Sequence, residues 1–128
     1  MRLLLDTHVL LFWLAEPKRL PKKVSALIAE RQHEMLVSAV SAYEVSTKYR
    51  LGRLPSAGPL VTDFFGWIHK AGFAELPISI RHAQTAGLFS APHRDPFDRL
   101  LASQSIVENI PIASSDDALD QFGVQRIW

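Results

Sequence analysis

Apolar residues fall along this chain in two rhythms that alternate from one end to the other. Leu3 to Leu5 form an unbroken apolar run, the pattern of a central strand buried on both faces, and Met35 to Val37 and Ile110 to Ala113 read as further short strands. Between them the spacing turns helical. Val9 to Leu14 form a helical run that stops before Pro17, and Pro21 leads a second helix through Glu30 whose apolar face is Val24, Leu27 and Ile28. Ser38 or Ser41 caps a third helix that continues through Val45 and Tyr49 and ends at Gly52.

Leu54 to Pro59 reads as a loop, and Leu60 to Lys70 as one helix carrying Phe64, Phe65, Trp67 and Ile68. Phe73 to Ile78 is a strand placed at an edge or cut short by Pro77. Ser79 caps a helix from Ile80 to about Leu88, and Asp95-Pro96 starts another that reaches about Glu108. Asp116 to Phe122 reads as a short helix closed by Gly123, and Val124 to Trp128 as a terminal strand. Strands alternating with helices predict an α/β domain over residues 1–128, with a parallel sheet of about four to five strands covered on both faces.

Composition narrows the class without naming a chemistry. With 128 residues, 48 % hydrophobic and 21 % charged, the chain is long enough for one proper core and has no room for a separate substrate module. Its formal charge of +1 gives no overall basic field, so any nucleic-acid contact must be a local patch. The absence of Cys removes disulfides, thiolate nucleophiles and Cys-type zinc sites, and it fits a reducing compartment such as the cytoplasm. Asp6 and His8 interrupt the N-terminal apolar stretch, which argues against a signal peptide. The longest apolar run, Val9 to Ala15, is far short of the ~20 residues that span a bilayer, so no membrane association is expected.

Four carboxylates stand out against that background. Asp6, Glu44 and Asp116 each follow an apolar run, and Asp98 lies within His93-Arg-Asp-Pro-Phe-Asp-Arg99. Strand ends that carry function lie along one edge of an open parallel sheet, so acids distant in sequence can meet there. Crowded carboxylates repel one another unless a divalent cation neutralises them, and hard oxygen ligands suit Mg²⁺ or Mn²⁺. Each acid also has a plainer reading. Asp6 and Asp116 are good helix caps, and Glu44 completes a capping box with Ser41 if the third helix begins there. Asp95, before Pro96, is the better cap of its pair, which leaves Asp98 in the first turn for metal.

Four segments in order resemble the PIN-domain superfamily, and within it the VapC-type ribonuclease toxins of toxin–antitoxin pairs. They are Leu3-Leu-Leu-Asp-Thr-His8, Ser41-Ala-Tyr-Glu-Val-Ser-Thr-Lys-Tyr-Arg-Leu-Gly-Arg-Leu54, His93-Arg-Asp-Pro-Phe-Asp-Arg-Leu-Leu-Ala-Ser-Gln104 and Ile112-Ala-Ser-Ser-Asp116, and together they span essentially the whole chain. The resemblance implies that Asp6, Glu44, Asp98 and Asp116 are the metal-binding acids of a Mg²⁺- or Mn²⁺-dependent endoribonuclease. It places Thr7 and Ser114 beside them, where small hydroxylic residues are usual. It also implies an RNA substrate and a cognate antitoxin protein.

Lys48, Arg50, Arg53, Arg94 and Arg99 flank the two central acidic motifs and are candidate contacts to RNA phosphates. The five histidines show no i, i+4 pairing that would make a zinc site, although His93 lies near the acids. Phe12, Trp13, Phe64 and Trp67 are candidates for an antitoxin groove or a homodimer interface. A phospho-receiver domain would need an acidic pair after the first strand and a late Lys. Here Thr7 follows Asp6, and no Lys occurs after Lys70. A haloacid-dehalogenase-type phosphatase would need Asp at the position of His8. The remaining alternative is a catalytically inactive PIN fold that binds RNA or protein.

Overall fold

The computed structural model describes all 128 residues. Five parallel strands, β1 (Arg2–Leu5), β2 (Glu34–Ser38), β3 (Ala74–Leu76), β4 (Ile112–Ala113) and β5 (Arg126–Ile127), form one sheet in the order β3-β2-β1-β4-β5. The α/β class, the parallel sheet and the strand number therefore stand as expected.

β1 is central because its side chains are apolar on both faces. Leu3 and Leu5 point to one side, with Met35, Val37 and Ala113, and pack on Val9, Val24, Ile28 and Ile68. Those partners come from α1 (Thr7–Ala15), α2 (Lys22–Ala29) and α5 (Phe64–Lys70). Leu4 points the other way, with Leu36 and Ile112, against Val40, Leu101, Ala102 and Leu119. Val40 and Leu101 belong to α3 (Ala39–Arg50) and α7 (Pro96–Glu108), and α7 in turn packs on α6 (Ile80–Leu88). Leu3, Leu4 and Leu5 are fully buried, so truncating any of them to Ala would cost about 2–5 kcal/mol.

The chain builds outward from β1 through β2 to β3, then crosses back to lay β4 on the other side of β1. The strand order thus reverses between β1 and β4, where Leu4 pairs with Ile112 and Leu5 with Ala113. Helices connecting to either side diverge there and leave a crevice at the carboxyl ends of the strands.

The segment from 54 to 70 departs from expectation. Its loop contains a 3-10 turn, Pro55–Ala57, and the single helix read over Leu60 to Lys70 is two helices, α4 (Gly58–Thr62) and α5. Asp63 makes the break: its side chain accepts a hydrogen bond from the Gly66 N–H at 3.0 Å and caps α5. A Cβ on Gly66 would lie 2.1 Å from Asp63 Oδ2, so this cap needs glycine at that position. The helix expected from Asp116 to Phe122 is a 3-10 helix, Asp117–Phe122, ended by Gly123 at φ +82°. β3 to β5 are shorter than the apolar runs containing them. No helix is long and apolar enough to cross a membrane.

Candidate active site

Asp6 leaves the end of β1 and caps α1, so the strand and the helix fix its carboxylate from both sides. Oδ1 accepts from the Thr7 N–H at 2.7 Å and Oδ2 from the Ser114 hydroxyl at 2.6 Å, and the residue is only 5 % exposed. Ser114 follows β4 across the switch point, and its oxygen also accepts from the Asp116 N–H at 3.0 Å. The Thr7 and Ser41 hydroxyls lie 2.9 Å apart and tie the start of α1 to α3.

Ser38 caps α3, its hydroxyl accepting from the Val40 N–H, so the capping box with Ser41 does not form. Glu44 is freed to stand in the second turn, facing the sheet edge. There Lys48, one turn on, donates to its Oε2 at 2.6 Å. Asp95 caps α7 by accepting from the Phe97 N–H, and Asp98 lies in the first turn with His93 Nε2 at 2.8 Å from its Oδ2. The division of labour read for this pair, Asp95 as cap and Asp98 towards the edge, agrees with that geometry. Asp116 does cap the last helix, with Oδ1 accepting from the Ala118 N–H at 3.0 Å.

These four acids line one cavity of about 150 Å³, together with Thr7, His8 and Lys48. Burial pushes the Asp6 carboxyl above its ordinary value of 3.8, against the opposing pull of Ser114 and His8, and Glu44 adds repulsion in the upward direction. Burial likewise raises Asp98 to about 6; its bond to His93 opposes the rise, and the charges of Asp95, Asp6 and Asp116 reinforce it. Acids held apart from water and repelling one another are a donor set that a hard divalent cation would relieve. No three of the His, Asp and Glu side chains are grouped closely enough to hold a metal ion as they stand, and the hydroxyl of Ser114, the ammonium of Lys48 and the ring of His93 engage Asp6, Glu44 and Asp98 in turn. A cation bound among these acids would have to draw Glu44 from Lys48 and Asp98 from His93.

The other expected contacts divide. Lys48 lines the cavity and is exposed, whereas Arg50, Arg53 and Arg94 are exposed outside it. Arg99 is not available to a phosphate. Its guanidinium donates to the carbonyls of Ala86, Phe89, Ala91 and His93 at 2.7–3.0 Å, binding the loop before α7 to that helix. Thr7 and Ser114 are buried, and their hydroxyls point inward to Ser41 and Asp6. Sequence reasoning assigned no role to His8, read Ser41 only as a candidate cap, and left His93 as a loop residue near the acids. The place of His8 two positions after Asp6, and of Lys48 four after Glu44, were the signals available.

Beside the acidic cavity, and sharing Leu11 and Leu54 with it, lies an apolar groove of about 330 Å³ lined by Phe12, Leu14, Leu60 and Trp67. Trp13 and Phe64 pack instead against the core.

Comparison with known proteins identifies a family and several relatives. The family model for the PIN domain matches residues 3–125. Ribonuclease VapC22 of Mycobacterium tuberculosis is 29 % identical over 119 residues, covering 91 % of this chain and 88 % of that protein. Ribonuclease VapC16 of the same organism is 34 % identical over 61 residues, 48 % of this chain and 42 % of that protein. Two solved structures share the fold. VapBC2 from Rickettsia felis, bound to a DNA fragment from its promoter, gives a TM-score of 0.65 at 13 % identity over 91 % of this chain and 88 % of that one. FitAcB from Neisseria gonorrhoeae gives 0.66 at 16 % identity over 98 % and 96 %.

Proposed function

The chain belongs to the PIN-domain family, and from that premise we propose that it is a Mg²⁺- or Mn²⁺-dependent endoribonuclease, the toxin of a toxin–antitoxin pair acting in the cytoplasm. The observation that carries the reading is the convergence of Asp6, Glu44, Asp98 and Asp116, from four separate segments, on one cavity at the switch point of the sheet. The ribonuclease names of the two relatives point the same way.

Asp6, Glu44 and Asp98 are the ligands, with Asp116 completing the acidic wall. Held there, the divalent ion supplies positive charge that eases deprotonation of an attacking water and offsets charge gathering on the phosphoryl oxygens. The chain's own groups prepare that site. The Thr7 amide and the Ser114 hydroxyl hold both oxygens of Asp6 in place, so the acid needs no reorganisation. Lys48, once released from Glu44, presents an ammonium at the cavity wall for an RNA phosphate, and the exposed Arg50 and Arg94 extend that basic approach. No protein nucleophile is required.

The apolar groove gives the antitoxin a seat. An amphipathic segment laid on Phe12 and Trp67 would end beside the acids, where a basic side chain pairs with them in place of the cation. Self-association is part of the same proposal, with Tyr43, Ile80 and Leu88 as exposed apolar side chains available to it.

The test is cleavage of RNA by the purified chain with Mg²⁺ or Mn²⁺, and its loss in Asp6→Asn, together with co-expression beside the neighbouring gene product. An inactive PIN fold that binds RNA or protein is the competing account, and the engagement of Asp6, Glu44 and Asp98 by other side chains is the observation in its favour. Metal-dependent cleavage by the wild type rules it out. A chain that neither cuts RNA nor captures its neighbour's product leaves it standing.

A further inference from the structure

One ring in the acidic cavity has a tautomer fixed by its neighbours. The Ser115 N–H lies 3.1 Å from His8 Nε2, and the Ser115 hydroxyl 2.9 Å from the same nitrogen. A backbone N–H only donates, so Nε2 is the acceptor and carries no hydrogen. The ring proton then sits on Nδ1, and Nδ1 is the nitrogen that faces Asp6 Oδ2, at 3.5 Å. Edge-on contacts hold the ring plane, with Phe12 at 5.7 Å and Trp128 at 5.9 Å between centroids.

We infer that His8 is a positioning residue that clamps two of the four acids: its Nδ1–H steadies Oδ2 of Asp6, while its Nε2 anchors the loop that carries Ser114 and Asp116. Asp6 leaves β1 and Asp116 follows β4, so the clamp spans the switch point. The Ser114 hydroxyl already crosses it by donating to Asp6, and on its own side its oxygen holds the Asp116 amide. His8 adds the outer link on the side facing the cavity. At 3.5 Å its contact with Asp6 is weak and mainly electrostatic. Partners that orient ligating carboxylates in this way commonly account for 10–100-fold in metal affinity. The consequence for metal rests on the nuclease reading; the tautomer and the tether do not.

The test combines ¹⁵N NMR of the full chain with calorimetric titration of Mn²⁺ alone. The wild type is expected to show a protonated Nδ1 and a bare Nε2 at His8. His8→Phe, which keeps the packing on Phe12 and Trp128, is expected to weaken Mn²⁺ binding about tenfold. His8→Asn places an amide N–H where Nδ1–H stood and is expected to recover most of that loss. His8→Gln reaches Ser115 but not Asp6 and is expected to stay weak. A proton on Nε2, or His8→Phe binding Mn²⁺ as tightly as the wild type, overturns the inference. Should His8→Phe fail to fold, the order of His8→Asn and His8→Gln decides. If the wild type binds no Mn²⁺, the nuclease reading fails by itself. The ring-nitrogen spectrum and the Asp6 carboxyl ¹³C line then judge the clamp, and a line unmoved by His8 substitution overturns it.

Discussion

Asp95 and Asp98 are three positions apart, and their surroundings give them different work. Asp95 spends Oδ1 on the Phe97 amide at an exposed helix start, and Asn caps about as well, so Asp95→Asn should keep both fold and cleavage. Asp98→Asn keeps the fold but removes a charge from the cavity, and cleavage should fall by at least about a hundredfold, given the several kcal/mol a metal site contributes. Parallel rate measurements on the two purified variants check this, and the reverse order would exchange their roles. Asp98 also sets a pH signature. Its native carboxyl titrates near 6 against an ordinary 3.8, so between those values the native state holds more protons than the unfolded chain. Stability of the metal-free protein from this group is greatest below about pH 4, falls as pH rises towards 6 and is level above. Melting curves from pH 4 to 7 should show that decline in the wild type and a smaller one in Asp98→Asn. Excess Mn²⁺ should oppose it, because the cation needs the ionised acid.

The two helices from 58 to 70 mark where sequence patterning ran out. Apolar spacing across Leu60 to Ile68 continues through the break, and Asp63 looks like one polar residue on a helix surface. Its capping role depends on Gly66, whose missing side chain leaves room for the carboxylate. Asp63→Ala should cost about 1 kcal/mol, whereas Gly66→Ala should be close to neutral, because the cap displaced by the new Cβ offsets the roughly 1 kcal/mol by which Ala exceeds Gly in helix propensity. In the Asp63→Ala background, where the cap is already gone, the second change should instead be stabilising by about that amount. Denaturant unfolding of the four proteins closes that cycle, and additive losses would remove the explanation. Elsewhere the elements were legible, because β1 is apolar on both faces and Ser79, Asp95 and Gly123 punctuate the chain by local chemistry. The gathering of the acids at one edge followed from the α/β alternation. The tasks of Arg99 and His8 did not, because each depends on a partner brought near only by the fold: four carbonyls in one case and Ser115 in the other.

For the molecule as a whole, the acids are a local cost that a cation bound at the proposed site would convert into stability. Mn²⁺ should raise the melting temperature with a shift that grows with occupancy, and Glu44→Gln should shrink that shift. Equal shifts in the two proteins would remove Glu44 from the ligand set. The strand order adds a consequence in time. β1 is made before the other strands, yet its partner on the site side, β4, is made only after β2 and β3, and the Ser114–Asp6 bond closes a span of 108 residues. A ribosome-bound chain can pair β1 with β2 and β3 as they emerge, but it has no wall of Ser114 and Asp116 until β4 and the turn after it have followed. A site built on this plan stays open while three of its strands are already paired, and it closes only once β4 has arrived to bring Ser114 to Asp6.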